Sequence, residues 1–315
     1  MRIGVVGSGA MGSLFGARLV ESGHSDVVLL DVNKPHMDAI RDHGLSFEDG
    51  SETRRVRIMA TCDPAEAGKV DFIVFFCKHP DTRKAINDAR PMLADHTVVW
   101  TPQNGIGNVG IIAEVVPEHR IAKGLTSSTS IQTGSGQIRT NFQGETETFM
   151  WPVAGEVSEI MREAGAIFTA AGLPTYLASD IDYRIWRKLC VNITLTVLTA
   201  AINTAIGPVG ESEYGQSLMR TMVEEAVAVA RAKGIPLQFS DAYAYVEELR
   251  EKAFQHIGST TGDMQNKRIT EVDAMTGAVV REGRSVGVPT PVNEAITNLV
   301  HILEATRADR LPIAI

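Results

Sequence analysis

Two sets of residues in this 315-residue chain have types and spacings that could do chemistry. The first is Gly7-Ser8-Gly9-Ala10-Met11-Gly12, followed at a distance by Asp31. Glycines so spaced permit a tight turn, a close backbone approach to a pyrophosphate, and close packing of a helix on a strand. A helix N-terminus behind them would add free N–H groups and a partial positive charge for phosphates. A carboxylate at Asp31 would accept hydrogen bonds from an adenosine ribose and repel a 2′-phosphate, which points to NAD rather than NADP. The second set is Lys188, Asn192, Thr196, Thr199 and Asn203, which recur at spacings of four, four, three and four. That spacing puts them on one face of a helix. The rest of this helix is apolar, from Ile181 and Trp186 through Leu189, Ile193 and Leu198 to Ile202, so it belongs inside the protein. Polar groups on such a helix need partners, and threonine can bond its own helix backbone. Lysine is seldom fully buried without a partner, and Lys188 could donate a proton to a bound ketone.

The elements that must position these residues are legible around them. Arg2–Val6 is a short apolar run of the kind found in a central parallel strand. Ser13–Val20 reads as a helix, and Asp26–Leu30 as a second strand that ends at Asp31. A lone G-x-G-x-x-G is weak evidence; in this strand–turn–helix–strand setting it indicates dinucleotide binding. The alternation continues with a helix over Lys34–Asp42, strands over Val56–Met59 and Val70–Cys77, a helix over Pro80–Leu93 and a strand over Thr97–Trp100. Alternating signals imply a parallel sheet with ligands at the carboxyl ends of its strands. The glycine turn, Lys78 and Gln103–Gly105 are therefore expected to line one crevice. Gln137–Thr140 and Thr146–Trp151, punctuated by glycines, read as an antiparallel hairpin. A helix over Gly155–Ala171 and a strand over Thr175–Leu177 complete this half. Only helices are expected beyond Ser179: Asp180 to Ala205, Gln216–Lys233, Ser240 to His256, Glu271 to Arg281, and Asn293 to Arg307. The fold class is thus α/β, with a Rossmann-type doubly wound sheet over residues 1–179 and an all-α domain over 180–315.

Composition narrows the function classes. A formal charge of -8 gives no electrostatic case for nucleic acid. Hydrophobic residues make up 44% of the chain, as in globular proteins, and no run of 18 or more apolar residues is free of charges. The chain starts directly in a strand without a signal-like segment. Cys62, Cys77 and Cys190 lack C-x-x-C spacing, and the eight histidines form no H-E-x-x-H pattern. A cytoplasmic enzyme with no bound metal, no membrane and no nucleic-acid partner is expected; a homodimer is left open.

Over nearly its whole length the sequence resembles the ketopantoate reductase (2-dehydropantoate 2-reductase) family. The resemblance rests on Gly7–Gly12, Lys78, Gln103-Asn-Gly105, Trp186-Arg-Lys-Leu-Cys-Val-Asn192, Ser259, Asp263-Met-Gln-Asn266, Thr270-Glu-Val-Asp273 and Gly287-Val-Pro-Thr-Pro-Val-Asn293. It implies a Rossmann domain and a helical domain enclosing a cleft, in which an NADPH hydride reduces a 2-oxo acid to the D-2-hydroxy acid. By the same resemblance Lys188 is the general acid, and Asn192 and Thr196 stand at substrate positions. Ser259 would bind the substrate carboxylate, with a loop cap as its bland alternative. Glu271 would hold the nicotinamide-side ribose or keep Lys188 charged, with a solvated helix-start acid as its alternative. Asn104 and Lys78 would contact the cofactor, Asn104 also reaching the substrate, and Ser130 would lie near the nicotinamide. Three departures stand out. Asp31 replaces a phosphate-tolerant residue, Thr196-Val197 replaces Asn-Pro, and Ile206-Gly207 replaces Asn-Gly. These departures favour an NAD-dependent reductase of some 2-oxo acid, with a genuine ketopantoate reductase as the alternative and a non-catalytic NAD-binding protein as the lesser one.

Overall fold

The computed structural model describes residues 1–50, 52–140 and 146–308. The chain forms two compact units. The first holds Met1–Gln103 and Asn108–Ile181, and the second holds Asn104–Gly107 and the chain from Asp182 onward.

In the first unit an eight-stranded sheet is built on β1 (Ile3–Val6), whose four residues are all buried. Parallel neighbours flank it: β2 (Val27–Leu30) on one side and β6 (Val70–Phe75) on the other. Beyond β2 lies β5 (Met59–Thr61); beyond β6 come β7 (Leu93–Thr101) and β8 (Ile121–Thr126). The far edge is β11 (Thr148–Pro152), antiparallel to β8, and then β12 (Thr175–Leu177). Helices cover both faces, as apolar parallel strands require. On one face α1 (Ala10–Glu21) and α6 (Glu159–Ala170) bring Phe15 and Phe168 together, ring centroids 5.9 Å apart, over Trp100. On the other, α3 (Pro64–Ala67), α4 (Thr82–Asp88) and α5 (Asn108–Ile112) bury Ala67, Ile86 and Ile112 against Ile73 and Val99. Pro80 and Pro91 explain why α4 is shorter than the expected Pro80–Leu93 helix: each starts a 3₁₀ turn that brackets it.

A second sheet, unforeseen in the sequence, has the order β4-β3-β10-β9. It joins β3 (Leu45–Asp49) and β4 (Glu52–Val56), which follow α2 (Lys34–His43), to β9 (Ile131–Gly134) and β10 (Gln137–Thr140). This corrects two expectations. The Val56–Met59 strand is two strand ends, Val56 closing β4 in the small sheet and Met59 opening β5 in the large one. Gln137–Thr140 and Thr146–Trp151 do not pair as a hairpin. β10 pairs antiparallel with β9 and parallel with β3, while β11 joins β8. Gly144, expected in that turn, lies outside the described residues.

The second unit is helical. Its central helix runs over Ile181–Ile202 and has three parts: α7 (Ile181–Val191), a π-helical stretch over Asn192–Leu198, and α8 (Thr199–Ile202). Every residue of the π stretch is buried. By length and composition this helix is long and apolar enough to cross a membrane, although charged residues interrupt it. However, 61% of its apolar window is buried, as in the core helix of a globular protein. Asn203 closes it in the left-handed conformation (φ 50°), a position that tolerates asparagine. Around it stand α9 (Glu213–Ala232), α10 (Phe239–Lys252), α11 (Ser259–Gln265), α12 (Thr276–Val286) and α13 (Pro291–Ala305). The helix expected from Glu271 begins instead at Thr276, after a 3₁₀ turn over Val272–Ala274. Buried Glu225 of α9 holds the start of α13 by accepting hydrogen bonds from the amides of Val292 and Asn293, both at 2.9 Å, and from Asn293 Nδ2 at 2.7 Å. A carboxylate there satisfies orphan N–H groups and complements the helix dipole.

Candidate active site

The glycine turn joins β1 to α1, and each glycine has its own reason to be one. Gly7 has φ +85°, and a Cβ on it would come within 2.4 Å of the Cys77 amide nitrogen. A Cβ on Gly12 would come within 2.4 Å of the Gly7 carbonyl oxygen. Gly9 differs: a Cβ there meets no atom within 4 Å. Gly9 is also the N-cap of α1, which has no side-chain cap, so this helix start and the space over Gly9 fit the pyrophosphate of a dinucleotide. Ala10 and Met11 open that first turn, partly exposed. The Ser8 side chain turns inward, its Oγ donating to Val5 O at 2.9 Å, which leaves only backbone for a ligand.

Asp31 follows β2, and its Oδ1 accepts the Asn33 amide at 2.8 Å. Burial raises the Asp31 carboxyl above the usual carboxylate value, while the Asn33 amide and the nearby His36 draw it back. Lys78, partly buried, follows β6 and leads into the 3₁₀ turn over His79–Asp81. Gln103 is occupied within the sheet: its Nε2 donates to Cys77 O at 2.6 Å and to Thr82 Oγ1 at 2.8 Å. Ser130 precedes β9, and its Oγ donates to Arg139 O at 3.2 Å, so this hydroxyl serves the small sheet.

The other sequence-predicted residues belong to the second unit. Trp186 sits in its core and the Arg187 guanidinium lies 3.9 Å from the Tyr245 ring centroid, which together fix the rotation of α7. Lys188 is thereby aimed on a third bearing, partly accessible but ringed by protein. Desolvation lowers its ammonium to about 8, against the upward pull of Glu271, which is close enough to act on it. Asn192 opens the π stretch and Thr196 lies within it, both buried. Such wide turns are frequent at functional sites. Ser259 is the first residue of α11 rather than a loop residue, and Gly258 before it allows close approach to the central helix. A Cβ on Gly258 would stand 3.2 Å from Leu195 O and 3.3 Å from Thr196 Cα. Asn104 belongs to a segment docked on the turn after Glu271, where Ile106 donates to Ala274 O at 2.8 Å. Gly105 has φ +79°, and any Cβ would collide with that same carbonyl. Lys188, Asn192, Thr196, Ser259, Glu271 and Asn104 thus share the second unit.

Of the remaining stripe residues, Thr199 bonds its own helix at Leu195 O, 2.9 Å away, and Asn203 Oδ1 accepts from Gln265 Nε2. Ile206, which stands where the family pattern has an asparagine, is part of the buried core cluster. Sequence reasoning passed over His36, which is fully buried beneath the glycine turn with both ring nitrogens bonded. A lone histidine in the first turn of a polar helix carries no pattern that would have marked it. Among the described residues no group of three or more His, Cys, Asp or Glu could hold a metal ion.

Known proteins resemble this chain along most of its length. The family model described as ketopantoate reductase PanE/ApbA matches residues 3–152, and the model of its C-terminal domain matches residues 180–304. The 2-dehydropantoate 2-reductase of Streptococcus pyogenes serotype M3 is 32% identical over 308 residues, 97% of this chain and 98% of that protein. That of Lactococcus lactis is also 32% identical, over 96% of this chain and 98% of its own. Among solved structures, a ternary complex of D-mandelate dehydrogenase with NADH and anilino(oxo)acetate superposes with a TM-score of 0.91 at 29% identity, covering 97% of this chain and 99% of that one. A PanE/ApbA family ketopantoate reductase from Ralstonia eutropha gives 0.89 at 28% identity, over 98% of this chain and 100% of that one. With two matched domains and relatives aligned along almost the entire sequence, the chain belongs to the ketopantoate reductase family.

Proposed function

We propose that this protein is an NADH-dependent reductase that converts a 2-oxo acid into its D-2-hydroxy acid, with Lys188 as the proton donor. The observation that carries this reading is the state of Lys188: a desolvated ammonium lowered to about 8, with Glu271 acting to keep it charged. A general acid works best when its pKa lies near the operating pH. The nicotinamide, when bound, supplies the hydride. The amides at the start of α1 hold its pyrophosphate and Asp31 its adenosine ribose, while Lys78, Asn104 and Ser130 contact the rest of the cofactor. Asn192, Thr196 and Ser259 orient the substrate, Ser259 at its carboxylate. Lys188 stabilises the alkoxide as it forms and then protonates it.

Two observations support NADH over NADPH. The Lys34 ammonium, the nearest cation in sequence that could greet a 2′-phosphate, is paired with Asp38 at 2.6 Å. The D-mandelate dehydrogenase structures carry NADH. The relatives named 2-dehydropantoate 2-reductase support ketopantoate as substrate, which is the second reading. Against it, Thr196 offers one short hydroxyl where the family has an amide, and a polar group left unpaired in a closed site costs about 1–3 kcal/mol. Substrates with branched aliphatic or aromatic side chains therefore fit this chain better. A cytoplasmic location and action on a small molecule alone complete the reading.

The test is an initial-rate survey of ketopantoate, 2-oxoisovalerate and phenylglyoxylate with NADH and with NADPH. We expect NADH to be preferred and ketopantoate to be outrun by at least one of the others. Ketopantoate best by tenfold or more would establish the biosynthetic reading instead.

A further inference from the structure

The glycine turn is underpinned by a chain of buried polar groups that crosses from the small sheet to the phosphate-facing peptide. The Gly136 amide donates to His36 Nδ1 at 2.9 Å, and Gln132 Nε2 stands 3.0 Å from the same nitrogen. A backbone N–H can only donate, so Nδ1 is an acceptor and the proton of the neutral ring sits on Nε2. Nε2 lies 3.1 Å from Ser13 Oγ, to which it therefore donates. Ser13 Oγ in turn donates to Ser8 O at 2.8 Å. His36, Ser13 and Ser8 are all 0% exposed. Burial also lowers the imidazole's affinity for a proton, which keeps the ring in the neutral form this relay needs.

The last link decides what the relay does. The Ser8 carbonyl and the Gly9 N–H share one rigid peptide plane and point in opposite directions. Holding the carbonyl from inside therefore aims the Gly9 N–H outward, toward the open space over Gly9. We infer that His36 is a positioning residue for the dinucleotide, acting through Ser13 to orient the Ser8–Gly9 peptide for the pyrophosphate. This inference rests on the reading of the glycine turn as the cofactor site. It gives the small second sheet a task, since Gln132 of β9 and Gly136 of the β9–β10 turn fix the tautomer that makes the relay work.

The experiment compares the whole protein with its His36→Leu, His36→Gln and Ser13→Ala variants. Affinities for NADH and for ADP are measured by titration, beside the melting temperature of each. Leucine removes both ring contacts. Glutamine keeps an amide donor at the reach of Nε2 and loses the acceptor toward Gly136. Ser13→Ala cuts the middle link and leaves the contacts of His36 with the small sheet intact. Loss of one aimed hydrogen bond to a phosphate predicts a rise of about tenfold in both dissociation constants for His36→Leu and Ser13→Ala. The glutamine variant should stay within about threefold of the parent, although it melts lower. Unchanged affinity in Ser13→Ala, or equal weakening in the glutamine and leucine variants, would overturn the inference. If His36→Leu does not fold, the other two variants decide. Parent protein that binds neither NADH nor ADP would overturn the cofactor reading itself, a result distinguishable from any of these.

Discussion

In the first unit the proposed pyrophosphate site is made of main-chain amides at the start of α1, where the open space over Gly9 leaves the backbone accessible. In the second unit the proposed groups are side chains: a lysine, an amide and a hydroxyl along the central helix, with a second amide, a second hydroxyl and a carboxylate from outside it. The first arrangement is strict about backbone and tolerant of chemistry. On the proposed reading the second is the reverse, because its substituents would decide which molecule is bound and where the proton comes from. Atoms within about 2.4 Å enforce glycine at Gly7 and Gly12, whereas at Gly9 no protein atom within 4 Å does so. Helix propensity does not call for Lys188, since alanine would suit its helix at least as well.

This contrast can be broken or sharpened experimentally. Lys188→Ala should lower kcat by about 10²–10⁴-fold, the usual contribution of a placed acid, while the dissociation constant for NADH moves little. Stopped-flow turnover with a parallel fluorescence titration checks both halves, and full activity would reassign the donor. Gly9→Ala should do the opposite. With no protein atom near its Cβ the variant should melt as the parent does, yet bind NADH about a hundredfold more weakly by blocking the pyrophosphate. Equal affinity would show that the phosphates lie elsewhere.

The third effect is smaller and concerns pH. On the proposed mechanism reduction needs the Lys188 ammonium, so kcat/KM in that direction should fall as pH rises through about 8, by about tenfold between pH 7 and 9. Glu271 holds that value up, so Glu271→Gln should move the fall to lower pH. A profile that is flat over this range would dissociate Lys188 from proton transfer. Last, Asp31→Ala should raise the NADPH-to-NADH ratio of kcat/KM by about fivefold, from relief of charge repulsion partly screened by solvent. No change in the ratio would place coenzyme choice outside this carboxylate.

The parts legible in the sequence were those written in local patterns. The strand–glycine–helix opening, the apolar central helix and the polar stripe on it follow from spacings within a few turns. The small sheet was not legible because its pairings are distant: β10 finds β3, some ninety positions earlier, and its own neighbours in sequence gave a plausible but wrong hairpin. The π stretch is made of ordinary isoleucine, leucine, valine and threonine, so nothing in its composition separates it from an α-helix. The sequence predicts no helix at Ser259 because α11 is short and weakly apolar; the place of Ser259 depends on Gly258, whose missing side chain matters only once Leu195 is beside it. His36 was missed for a similar reason, since its partners come from β9, β10 and α1.

The capping of α13 by Glu225 bears on how the second unit is assembled. The residue at the N-cap of α13, Thr290, gives no side-chain bond, so the first turn of that helix is completed only by a carboxylate 67 and 68 positions earlier. Until α9 is in place, α13 has an open start and should fray; until α13 arrives, α9 carries a charge with no donors around it. Each helix is thus a condition for the other, and they should form in one cooperative step rather than in sequence order. A chain cut short before Pro291 would lose more than its last helix. It would also take three donors from the Glu225 carboxylate, which must then turn to water, and so loosen the packing that holds α9.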